Sequence, residues 1–100
     1  MIKHIVMFKL LDEAEGATKA ENAVVIKKML DELPSKIPFI REYEVGINMI
    51  ESERAFDISL ISSFDNIEAL NEYNNHPEHK KAAEYIMKRR EESKSVDYEI

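Results

Sequence analysis

Residues 2–11, IKHIVMFKLL, place apolar side chains on both sides of an extended chain. Ile2, His4, Val6, Phe8 and Leu10 fall on one face, and Lys3, Ile5, Met7 and Lys9 on the other, which is the two-residue period of a strand. A strand that is apolar on both faces needs two covers. In a chain of 100 residues, helices can supply one and little is left to supply the other, so a second copy of the chain is the expected cover.

The rest of the chain fits that reading. Acidic DEAEG ends the first strand, and Thr18 followed by Glu21 is a capping-box signature for a helix start. Val25, Ile26, Met29, Leu30 and Leu33 recur at helical spacing up to Pro34. IREYEVGINM alternates again, with Tyr43, Val45, Ile47 and Met49 opposite Glu42, Glu44, Gly46 and Asn48. After a turn at ESER, AFDISLISSF is a third strand, with Ile58, Leu60 and Phe64 opposing Asp57, Ser59 and Ile61. Asp65 is the expected cap of a short helix, Pro77 the opening of another that runs to about Arg90, and SVDYEI a closing strand with Val96, Tyr98 and Ile100 on one face.

The resulting order is β-α-β-β-α-β, with the second helix in two pieces. It predicts an α+β, ferredoxin-like protomer: one domain, residues 1–100, with a four-stranded antiparallel sheet and helices on one face. Two protomers packed through their open sheet faces would form a dimeric α+β barrel. Asp57, Ser59 and Glu44 on that open face predict a partly wet interior.

Bulk properties remove several function classes. The formal net charge is −6, which disfavours nucleic acid, since phosphate binding needs an excess of Lys and Arg along one face. The cluster Lys88-Arg89-Arg90 runs into Glu91-Glu92 and reads as a solvated helix end. There is no cysteine, hence no disulfide, thiolate metal site or thiol nucleophile. The apolar N-terminal run is interrupted by Lys3, His4 and Lys9 and lacks a cleavage signature, and nothing has the length of a membrane span. A cytosolic protein without a membrane partner is the expectation.

YNNHPEH, residues 73–79, holds two of the three histidines. With Pro77 at the first helical position, His76 becomes the N-cap. From His79, Ala82, Ala83 and Ile86 follow at the third, fourth and seventh positions, so its ring should point toward the sheet, with two alanines leaving room beside it. His4 is the matching anomaly on the apolar face of the first strand. Burial keeps an imidazole neutral and able to accept a proton, and Tyr73 nearby can donate to an oxygen, so His79, Tyr73 and His4 are candidate catalytic residues. The other reading makes His76 a helix entry and the inward histidines satisfied core residues. A metal site built from His76, His79 and His4 lacks a placed acid to complete it. No cofactor motif is present, and no serine sits in a nucleophile elbow.

MIKHIVMFKL, YEVGIN, FDISLISSFDNIEALNEYNNHPEHKKAAEYI and SVDYEI together resemble the stress-responsive α/β-barrel (Dabb) family nearly end to end, with Y-x-x-H-P-x-H as the most specific part. The resemblance implies a dimer closing a barrel and a cleft between sheet and helices. It also implies a family of mixed function, from stress-induced plant proteins to a polyketide cyclase that performs an aldol-type ring closure. In that cyclase the last histidine of the motif is the base and the tyrosine its partner. These fall on His79 and Tyr73, and His4 matches a pocket histidine. The cyclase carries a further histidine on the third strand, where this chain has Asp57, Ile58 and Ser59. Two functions are therefore expected alternatives: cofactor-independent proton transfer on a small carbonyl or polyketide-like molecule, and a non-catalytic stress-response or ligand-binding dimer.

Overall fold

The computed structural model describes residues 1–100. Strand β1 (Ile2–Leu10) lies inside a four-stranded sheet with β4 (Glu42–Ile47), β5 (Ile58–Phe64) and β6 (Arg90–Glu99), in the order β4-β5-β1-β6. Every neighbouring pair is antiparallel. Helices α1 (Lys19–Asp31), α2 (Leu33–Lys36), α3 (Ile67–Asn75) and α4 (Pro77–Met87) supply the remainder, and the architecture is ferredoxin-like α+β. A small hairpin of β2 (Glu13–Ala14) and β3 (Ala17–Thr18) fills the DEAEG segment. Its two loop residues, Glu15 and Gly16, both have positive φ (51° and 78°), the backbone of a tight hairpin turn.

Directly opposed residues on neighbouring strands share a face. His4 opposes Ser62 and Asp97, and Val6 opposes Leu60, so the even-numbered side of β1 faces the helices. Ile2, Leu10, Val45, Ile58, Leu60 and Phe64 from the sheet meet Ala23, Ile26, Leu30, Leu70, Ala82 and Ile86 from the helices in one buried core. On the other side Ile5 opposes both Ile61 and Val96. There Met7, Val96 and Tyr98 are 40%, 54% and 42% exposed, and no helix crosses them.

Several local expectations change. The capping box of α1 forms: Thr18 Oγ1 accepts from Glu21 N–H at 3.2 Å, and Glu21 Oε1 accepts from Thr18 N–H at 2.9 Å. Val25, however, is exposed, and the buried stripe of α1 is Asn22, Ala23, Ile26 and Leu30. Pro34 does not end α1; it sits in the first turn of α2, where its missing N–H costs nothing. Asp65 does not cap α3. Its carboxylate accepts from Nε and Nη2 of Arg41 (2.9 and 2.7 Å), and Asn66 is the cap, accepting from Ala69 N–H.

Helix α4 stops at Met87, and β6 begins as early as Arg90. Lys88 and Arg89 therefore link the two elements, and Arg90 is the first residue of the strand. Arg89 stacks over the Tyr85 ring at 3.4 Å and donates to Tyr85 O and Asn22 Oδ1. Asp57 precedes β5, where its carboxylate accepts from Leu10 N–H at 2.7 Å and stands 3.6 Å from Lys19 Nζ. No helix is long and apolar enough to cross a membrane.

Candidate functional site

The segment between α3 and α4 positions the histidines. His76 closes α3 and opens α4. Its Nδ1 accepts from Glu78 N–H at 3.1 Å, so it occupies the cap position that the sequence indicates and lies outside the cavity described next. Pro77 then fixes the first turn, and His79 emerges from that turn toward the sheet.

A cavity of about 190 Å³ lies between α4 and the sheet. Val6, Phe8 and Leu60 form its sheet wall and Ala82, Ala83 and Ile86 its helix wall, and His4, Tyr73, His79 and Arg90 are the polar residues of its lining. The structure thus gathers all three sequence candidates. Tyr73 is the hub: its ring centroid is 4.5 Å from that of His79 and 6.3 Å from that of His4.

Each polar group has a definable state. His79 Nδ1 lies 3.1 Å from the carbonyl of Asn74. A carbonyl only accepts, so Nδ1 carries the proton, and in the neutral ring Nε2 is the acceptor. Burial lowers the His79 pKa below 6.5. The Asn74 hydrogen bond opposes that shift, and the neighbouring His4 and His76 assist it. His79 is therefore a neutral base near neutral pH. His4 Nδ1 donates to the Asp97 carboxylate from β6, which likewise leaves its Nε2 as the second ring nitrogen.

The Tyr73 hydroxyl is 2.9 Å from that of Tyr43 on β4. Burial is the main cause that raises both phenols, Tyr73 to about 12 and Tyr43 further, so both are protonated. Two hydroxyls sharing one hydrogen bond leave one proton free to donate elsewhere. Tyr73 has 0% exposure, so its ring walls the cavity without being reached by water.

Sequence reasoning did not find Asn74, Asp97 or Tyr43. Asp97 is two residues before the end of a strand that opposes His4 only in the observed register, and Tyr43 was recognisable as inward-facing but not as a partner of Tyr73. No group of three His, Cys, Asp or Glu side chains is arranged to hold a metal ion. Roomier surface depressions of about 400 and 570 Å³ are lined largely by charged and polar side chains and lack the apolar walls of a small-molecule site.

The comparisons with known proteins agree with this architecture. A dimeric protein of unknown function and ferredoxin-like fold from Bacteroides fragilis is 38% identical, with a TM-score of 0.82 over 99% of this chain and 95% of that one. A dimeric ferredoxin-like protein of unknown function from Thermobifida fusca is 21% identical, with a TM-score of 0.85 over 99% and 90%. A hydroxynitrile lyase from Passiflora edulis is 16% identical, with a TM-score of 0.79 over 99% and 92%. The last two likenesses show the fold alone. No curated protein matches the chain. The family model of the Stress responsive A/B Barrel Domain, Dabb, matches residues 2–100, and the chain belongs to that family.

Proposed function

We propose that the protein is a homodimer whose cavity binds a small apolar carbonyl compound and moves a proton on it without a cofactor. One observation carries the reading: a cavity of about 190 Å³ beside a half-buried, neutral His79 whose Nδ1 is occupied by Asn74 O. A carbon next to a carbonyl loses its proton to His79 Nε2, leaving an enolate and an imidazolium. Tyr73, accepting from Tyr43, donates to the enolate oxygen once the ligand displaces the wall that seals this hydroxyl. The imidazolium then returns the proton to the product. The fold of a hydroxynitrile lyase supports small-molecule chemistry on this scaffold as an analogy only.

One observation favours the second reading, a dimer that binds a ligand without transforming it: Tyr73 is sealed from water and its hydroxyl is already partnered. A thermal-shift screen of small carbonyl and aromatic compounds, run on the parent and on Tyr73→Phe, tests both. Stabilisation by carbonyl compounds that weakens in Tyr73→Phe supports proton transfer, and equal stabilisation in the two proteins supports binding alone. Absence of stabilisation by any compound overturns both.

A further inference from the structure

Arg90 stands on the cavity because the β1–β6 ladder breaks its register. Along the regular ladder Ile2 opposes Glu99 and Lys9 opposes Glu92, but Leu10 opposes Arg90, and Glu91 is skipped. Without that bulge Glu91 would oppose Leu10 and place a carboxylate on the helix side of the sheet. Instead Glu91 turns to Lys9 at 3.4 Å, and Arg90 takes the place beside Leu10. Bulges commonly re-aim a side chain at a functional site.

The re-aimed guanidinium has no partner. Arg90 is partly buried, yet it has no carboxylate within 4.0 Å and no side-chain hydrogen bond, in contrast to its neighbour Arg89. None of the cavity's twelve lining residues is acidic, although the chain holds 20 acidic residues against 14 lysines and arginines. A partly buried, unpaired Arg90 in the lining of an acid-free apolar space fits a carboxylate, which matches the planar fork of a guanidinium with two hydrogen bonds.

Placement gives the ligand a length. His79 lies in the first turn of α4 and Met87 at its end, roughly 12 Å apart by helix rise, with Arg90 just beyond. The sheet gives the same order, since His4 opposes Asp97 near one end of β1 and Leu10 opposes Arg90 at the other. Met87, 61% exposed, lines the cavity at the Arg90 end.

We infer that the cavity takes an elongated carboxylate, with its anionic end on Arg90, its apolar body along α4 and its reacting carbon toward His79. This inference rests on the cavity being a ligand site, as proposed above, and adds the substrate class. The test is calorimetric titration with octanoate and with its uncharged isostere octanamide, in the parent, Arg90→Gln and Lys88→Gln. The parent should bind octanoate at least about tenfold more tightly than octanamide, the scale of one charge-assisted hydrogen-bonded pair. Arg90→Gln should abolish that preference and leave thermal unfolding unchanged. Lys88→Gln, which removes a neighbouring exposed charge, should keep the preference. Equal binding of the two ligands by the parent, or a preference that survives in Arg90→Gln, overturns the assignment of Arg90 while leaving the cavity a ligand site. Binding of neither ligand overturns the cavity reading and this inference with it.

Discussion

His79 is where local geometry decides the chemistry. A backbone carbonyl fixes its tautomer, and burial and neighbouring imidazoles lower its pKa below 6.5. A histidine with a depressed folded pKa contributes its stability above the unfolded value near 6.5, and that contribution is lost as pH falls through the folded value, because the unfolded chain binds the proton first. Urea midpoints measured at about pH 8 and about pH 5 should therefore fall more in the parent than in His79→Gln, and an equal fall would mean that the ring is not held neutral by the fold. Since the ring borders a cavity, His79→Ala should cost under about 2 kcal/mol, less than a large-to-small change in a solid core. Two of the candidate residues were legible in the sequence because each interrupts an apolar period, His4 within a strand alternation and His79 on a helical stripe, and Tyr73 by its nearness to them and by the family motif. Their partners were not. Asn74 acts through its carbonyl, which any residue possesses, and Asp97 and Arg90 acquire meaning only from the strand register and its bulge.

At the scale of elements, hydrophobic period and capping chemistry carried most of the information. The order of strands and helices follows from alternation in β1, β4 and β5 and from the Thr18–Glu21 box, which forms as its spacing requires. The misread element ends have physical reasons. Asp65 and Asn66 are both good caps, and the choice between them falls to Arg41, which lies far away in sequence and claims the Asp65 carboxylate. Asn66→Ala should accordingly destabilise the protein by about 1 kcal/mol, the usual cost of losing a cap. Asp65→Ala, which breaks only a half-exposed ion pair, should cost less. Chemical unfolding of the two variants decides the matter, and a larger loss for Asp65→Ala would return the cap to that residue. Helix α4 ends early for a similar tertiary reason: Arg89 folds back onto Tyr85 and Asn22, and a charged stretch resembling a helix end becomes the start of β6.

For the whole molecule, the two faces of β1 set two tasks. Its even-numbered face closes a core and a cavity with the helices, while Ile5, Met7, Ile61, Val96 and Tyr98 form a facing apolar surface that nothing in the chain covers. That surface, together with the 38% identical protein described as dimeric, supports burial against a second copy. Sedimentation at micromolar concentration should give twice the mass of the 11.6 kDa chain, and Val96→Lys should shift it toward the single chain; a parent that sediments as a monomer would remove the barrel. Both faces were readable in the first ten residues, whereas the cavity volume was not, because it depends on how far Ala82 and Ala83 hold α4 from the sheet. The central claim is that His79 in that cavity takes a proton from carbon. It is tested most directly by following deuterium incorporation beside the carbonyl of 2-octanone in D2O by proton NMR. The account predicts exchange faster than in buffer with the parent and a loss of that acceleration in His79→Ala. Exchange at the buffer rate with the parent, or undiminished exchange with His79→Ala, would contradict it.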